Sequence, residues 1–155
     1  MDRQQIFEKC VNGVLEQGIP CFNEEQKSCL YRMPDGQGDY LKCAAGFLIP
    51  DDEYNAACME GETASEVIKR SFLGMNKKLN PEEEKRLQKE YVLALKMIDE
   101  LQSAHDGHAS PYASPSANSL YPASIGKNFL KDFRESAIEI GRQYGLTSEN
   151  IINAY

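Results

Sequence analysis

The stretch from Asn80 to His105 constrains this chain more than any other part of it. Asn80 is a good helix cap, and Pro81 suits the first helical position, where a missing N–H costs nothing. Glu82, Glu83 and Glu84 complement the positive end of the helix dipole. Leu87, Tyr91, Ala94, Ile98, Leu101 and His105 then recur at steps of four, three, four, three and four. The spacing predicts a helix over about 81–105, buried on one face along its whole length.

Helical periodicity appears twice more. Ile6, Phe7, Cys10, Val11, Val14 and Leu15 form a stripe that Gly18 and Pro20 close, which predicts a helix over about 3–17. Phe129, Phe133, Ala137, Ile140 and Tyr144 predict a C-terminal helix over about 128–144, ended by Gly145, with Thr147 or Ser148 capping a final short helix. Between the first two, residues 29–33 and 39–43 flank Pro34-Asp35-Gly36-Gln37-Gly38, where proline presets φ and glycine permits positive φ. A β-hairpin over about 28–44 follows. Ala44 to Ile49 is apolar and ends at Pro50, after which Asp51 or Asp52 is expected to cap a short turn through Met59. Thr63 and Glu66 have capping-box spacing, so a helix is expected from there to about Leu73. Residues 106–126 are rich in Ser, Ala, Pro and Gly and read as a mobile, lid-like loop whose aromatics are Tyr112 and Tyr121. The fold class expected is α+β, a mainly helical single domain over 1–155 with a small β-hairpin.

Composition narrows the classes of function. A chain of 155 residues buries roughly 68–70% of its unfolded surface, enough for one ordinary core without staples. Its net charge of -7 is unevenly placed: residues 1–62 hold 12 acidic and 5 basic side chains, whereas 63–155 hold 12 of each. No basic footprint for extended nucleic acid exists. The acidic front suits solubility or a basic protein partner. No apolar run reaches the ~18 residues of a membrane span, and the opening Met1-Asp2-Arg3-Gln4-Gln5 lacks a signal-peptide pattern, so a cytosolic setting is expected.

Cys10, Cys21, Cys29, Cys43 and Cys58 contain no C-x-x-C pair and read as reduced thiols packed like small hydrophobes. Zinc held by Cys29 and Cys43 with His105 and His108 is stereochemically conceivable but lacks paired spacing. No metal and no cofactor are expected. Gly36-Gln37-Gly38 is neither a P-loop nor a dinucleotide fingerprint, and no nucleophile elbow or H-E-x-x-H pair occurs. Asp51, Asp52, Glu53, Glu60 and Glu62 lack an EF-hand's spacing and read as acidic residues near a helix start.

Two groups of residues remain as candidates. His105 ends the long stripe and precedes Asp106, so it is either a base oriented by a carboxylate or a packed imidazole near the helix's negative end, while His108 reads as a solvated loop residue. Tyr31, Arg32 and Lys42 on the hairpin supply a stacking ring and two cations, residue types that suit a nucleotide-like ligand. Strand alternation puts Tyr31 and Arg32 on opposite faces, so both serve one pocket only at its rim. The ligand-binding set is therefore Tyr31, Arg32, Lys42, His105, Asp106 and, on the loop, Tyr112. Arg32→Ala is expected to remove an anion contact and leave the thermal transition nearly unchanged.

Cys29-Leu30-Tyr31-Arg32, Asp35-Gly36, Leu41-Lys42-Cys43-Ala44-Ala45-Gly46, Leu48-Ile49-Pro50-Asp51-Asp52-Glu53-Tyr54 and Met59-Glu60-Gly61, with Leu101-Gln102 and His105-Asp106, resemble a family of small tailed-bacteriophage and prophage proteins. The resemblance covers roughly residues 5–106 and carries no established activity. Gln37-Gly38, Asn55 to Cys58 and the tryptophan-free loop over 106–126 depart from the family's pattern. A phage source implies a non-catalytic counter-defence protein in the host cytoplasm, sequestering a small nucleotide-type signal by itself or across a homo-oligomer interface. The alternatives are an acidic inhibitor of a host defence protein, which would use residues 1–62, and a small hydrolase or metalloenzyme using His105 and Asp106.

Overall fold

The computed structural model describes residues 1–23, 25–26, 28–72, 81–109 and 123–153. It has the expected class, a mainly helical α+β domain with small antiparallel ribbons.

Helix α1 (Arg3–Gln17) buries Ile6, Phe7, Cys10, Val11, Val14 and Leu15, the stripe read from the sequence. Asp2 starts it: the Asp2 carboxylate accepts the Gln5 N–H at 2.8 Å while the Gln5 side chain accepts the Asp2 N–H at 2.9 Å. A two-residue ribbon follows, β1 (Phe22–Asn23) against β2 (Ser28–Cys29), which the sequence did not announce. The expected hairpin is β3 (Arg32–Pro34) against β4 (Tyr40–Lys42), in register Arg32↔Lys42 and Met33↔Leu41. Its turn is organised by Asp35, whose Oδ1 accepts the Gln37 and Asp39 N–H groups at 2.7 and 3.0 Å. Gly36 and Gly38 take φ of 81° and 102° there, a region side chains resist.

The expected first strand over 29–33 is broken in two. The Tyr31 N–H points at the Glu60 carboxylate, 3.0 Å from each oxygen, rather than at a strand neighbour, so Cys29 stays with β1 and Arg32 begins a new ribbon.

A 3-10 turn (Ala45–Leu48) leads through Ile49 and Pro50 to α2 (Ala56–Met59). Its cap is Asn55, whose Oδ1 accepts the Ala57 N–H at 3.1 Å, and not Asp51 or Asp52. Asp51 is instead drawn back to the hairpin by Arg32 and Lys42. Helix α3 (Ala64–Phe72) starts with the Glu66 N–H 3.4 Å from Thr63 Oγ1, and Asp99 from the long helix accepts the Ser65 N–H at 2.8 Å.

Helix α4 (Pro81–Ala109) buries Ala94, Met97, Ile98, Leu101 and His105, and it packs on α1, α3 and α5 (Ala123–Gln143). It runs four residues past the expected end at His105, and α5 begins five residues before the expected Asn128. His108 is thus helical, with Nε2 2.8 Å from Ser136 Oγ on α5, and is not a loop residue. The cap Asn80, the loop aromatics Tyr112 and Tyr121 and residues 110–122 lie outside the described residues. No final helix forms at Thr147 or Ser148. That segment runs back along α1, with the Thr147 N–H on Gln4 Oε1 and the Ile152 N–H on Asn12 Oδ1, both at 3.0 Å, and inserts Ile151 into the core. Side-chain amides of α1 replace the backbone partners a helix would have supplied.

Candidate functional site

The ribbons, the segment Glu60–Ala64 and the C-terminal half of α4 enclose a cleft of about 350 Å³. Cys29 and Tyr31 line it from the ribbon side, Glu60, Glu62 and Thr63 from the α3 entry, and Asp99, Gln102, Ser103 and Asp106 from α4. Among the described residues its lining carries four carboxylates and no lysine, arginine or histidine. A helical face delivers three of these polar groups together, since Asp99, Gln102 and Asp106 recur at steps of three and four.

Each carboxylate is held differently. Glu60 is held by three donors, the Tyr31 N–H, the Arg32 N–H at 3.3 Å and the Tyr54 hydroxyl at 2.6 Å. Asp99 caps the α3 entry through Ser65. Asp106 Oδ1 accepts from the Gln102 amide and lies 3.0 Å from His105 Nδ1. Glu62 is exposed, and its carbonyl accepts the Tyr31 hydroxyl at 2.7 Å.

The field of this cluster is legible in the neutral acids around it. Burial pushes the Cys21 thiol up to about 12, with the negative charges of Glu60 and Asp106 adding to the effect. The Cys29 thiol is raised further, first by burial and then by Asp106, to which it donates a hydrogen bond. Cys43 and the Tyr31 phenol are raised by burial first, with Asp106 again contributing. Such a field favours cations and opposes anions.

His105 forms the wall behind the cleft. It is fully buried, set edge-on to Phe129 and Phe133 at ring-centroid distances of 5.6 and 6.1 Å. Its Nε2 accepts the Cys21 N–H at 3.4 Å, which leaves the proton on Nδ1 to be donated to Asp106. Both ring nitrogens are engaged, and because α4 continues to Ala109 the ring does not stand at a helix end.

Of the residues singled out in the sequence, Tyr31 and Asp106 meet in the cleft, with His105 directly behind Asp106. Arg32 and Lys42 do not line it. Arg32 is 5% exposed, donates to the Ile49 carbonyl and pairs with Asp51 at 2.8 Å, its guanidinium 4.9 Å from the centre of the Tyr54 ring. Lys42 reaches the same Asp51 oxygen at 3.0 Å. The pair-forming Asp51 carboxyl is held below its ordinary range, first by the Lys42 hydrogen bond and then by the two positive charges.

The sequence reading weighed Cys29 as a zinc ligand and Glu60 as a cation ligand and set both aside, and it missed Asp99 and Gln102 as site residues. The α4 spacing of Asp99, Gln102 and Asp106 carried a signal for one polar face, whereas Glu60 and Cys29 join it through the tertiary fold alone. Compared with protein-family models, curated proteins and solved structures, the chain finds no match.

Proposed function

We propose that this chain is a non-catalytic binding protein that docks a basic segment of another protein in the acidic cleft. In the phage setting implied by the sequence resemblance, that partner is a host defence protein that the chain blocks. One observation carries the reading: four carboxylates from two distant segments line one cleft, and no cation lines it among the described residues. A lysine or arginine side chain supplies the missing charge, with Glu62 accessible at the rim and Asp106 deeper in. Glu60 and Glu62 belong to the acid-rich first part of the chain, the surface expected to meet a basic partner.

A nucleotide-type ligand is the second reading, favoured by the convergence of Arg32 and Lys42 on one exposed carboxylate beside Tyr54. A phosphate would take the place of Asp51 there, away from the cleft. An NMR titration of the isotope-labelled full chain separates the two. A short Arg/Lys peptide should shift the amides of residues 60–64 and 99–106, the shifts should weaken with salt, and Glu62→Lys should reduce them. ATP or a cyclic dinucleotide shifting Arg32, Lys42 and Asp51, with no response to the peptide, would replace the docking reading by the nucleotide one.

A further inference from the structure

Cys29 and Asp106 line the cleft, and the buried His105 imidazole stands directly behind them. A ligand atom from each of Cys29, His105 and Asp106 lies within 4.8 Å of the other two. These residues come from β2 and from consecutive positions on α4, so it is the packing of the ribbon on the helix that assembles them. We propose that they form a binding site for a thiophilic divalent cation of the zinc class, with a fourth position open to the cleft. The site stands on its own ligands and does not require the docking reading, although both use Asp106.

Donor chemistry and spacing support this assignment. Sulfur, imidazole nitrogen and carboxylate oxygen are the donors zinc selects, and in a tetrahedral site neighbouring donors stand roughly 3.3–3.6 Å apart. His105 Nδ1 and Asp106 Oδ1, at 3.0 Å, are already near that separation. Cys29, on a half-buried strand of two residues, has the remaining approach to make. Support around the donors is in place as well: the Gln102 amide holds Asp106, and Phe129 and Phe133 pack edge-on against the His105 ring. The four carboxylates of the lining, Glu60, Glu62, Asp99 and Asp106, attract a cation along the cleft itself.

Loading rearranges two protons. The Cys29 S–H bond breaks as the sulfur–metal bond forms, and that proton leaves to solvent. The His105 proton moves from Nδ1 to Nε2 so that Nδ1 can bind, and the long 3.4 Å contact from the Cys21 N–H is given up in exchange. No oxidation or reduction occurs.

The test uses the full chain, stripped with a chelator and titrated with Zn²⁺ and then with Co²⁺. One zinc per chain and a thiolate-to-cobalt charge-transfer band are expected, and zinc should protect Cys29 from iodoacetamide while Cys58 stays reactive. Cys29→Ser should abolish the band, Asp106→Asn should weaken binding by about tenfold or more, and Cys58→Ala should change nothing. If Cys29→Ser does not fold, the alkylation pattern of the unaltered chain decides by itself. No stoichiometric binding, alkylation of Cys29 undiminished by zinc, or binding unaltered in Asp106→Asn would overturn the assignment.

Discussion

Gly46 lies so close to the Tyr31 carbonyl that a Cβ on it would stand 2.2 Å from that oxygen. The contact brings the 3-10 turn onto the chain just before β3, where the Cys43 N–H also reaches the Tyr31 carbonyl, at 3.3 Å. Backbone oxygen cannot rotate aside as a side chain does, so Gly46→Ala should destabilise the fold by about 2–3 kcal/mol. Gly107 is the matched control, because a Cβ there meets nothing within 4 Å on a helix. Gly107→Ala should stabilise by about 0.5–1 kcal/mol. Urea midpoints for the two variants, moving in opposite directions, check both.

The burial of Arg32 runs against the expectation that its loss leaves stability untouched. Its guanidinium is buried, donates to the Ile49 carbonyl and anchors the Asp51 turn. Arg32→Ala leaves that carbonyl without its donor and should cost about 2–4 kcal/mol. Lys42→Ala, which removes only the more exposed half of the same pairing, should cost less than about 1 kcal/mol. Thermal unfolding of the two variants under one buffer gives the comparison. Equal and small effects would return Arg32 to the role of a ligand contact.

Glu60 does the work of a strand partner. Its carboxylate takes two successive backbone donors, Tyr31 and Arg32, together with the Tyr54 hydroxyl. Glu60→Ala should cost about 2–3 kcal/mol through the unpaired backbone groups it leaves. Its neighbour Glu62, exposed at the cleft rim, should tolerate Gln within about 0.5 kcal/mol. Hydrogen exchange at the Tyr31 and Arg32 amides should accelerate in Glu60→Ala alone.

These contrasts mark what was legible in the sequence. Helix α1 was read to its bounds because its apolar spacing, Gly18 and Pro20 are all local signals. The α4 stripe likewise announced the burial of Ala94, Ile98, Leu101 and His105, but burial does not run along the whole face, because Tyr91 is only half-buried, and the Leu87 side chain lies outside the described residues. Two-residue strands such as Phe22–Asn23 are too short to show an alternation, so the first ribbon left no pattern. Asn55 was passed over as a cap because Asp51 and Asp52 look equally suitable until Arg32 and Lys42 are known to hold Asp51. The site was the least legible part, since Cys29 meets Asp106 and Glu60 meets Tyr31 only through tertiary packing. Charge counting did identify an acid-rich first part, yet its sign was the opposite of what the hairpin cations implied.

Acid should expose the Asp51 pairing. Lys42 and Arg32 hold the Asp51 carboxyl below its ordinary range in the folded chain, whereas the unfolded chain has the ordinary value near 3.9. The folded state therefore binds this proton less well, so its contribution is fully present above about pH 4 and is lost as pH falls through the folded value. Asp51→Asn should be less stable than the parent at neutral pH and should converge with it on acidification. Added salt should narrow the neutral-pH gap, because the Asp51 side chain is 80% exposed.

The thiols report on the floor of the cleft. Cys10, Cys21 and Cys43 are buried, Cys29 is half-buried and Cys58 is exposed. Burial raises the first four, with Cys10 and Cys21 pushed up to about 12. A folded value above the unfolded one, near 8.5, means that stability is intact below that pH and is lost as pH rises beyond it. Unfolding midpoints should therefore begin to fall above about pH 8.5, and less so in Cys10→Ala if its cavity cost is subtracted at neutral pH. Under native conditions iodoacetamide should modify Cys58 first and Cys29 slowly, and should reach Cys10, Cys21 and Cys43 only on unfolding. Native-state modification of Cys21 at the rate of Cys29 would mean that β1 and β2 lift from α4 as a unit, breaking the Cys21 to His105 bond and opening the cleft to its back wall.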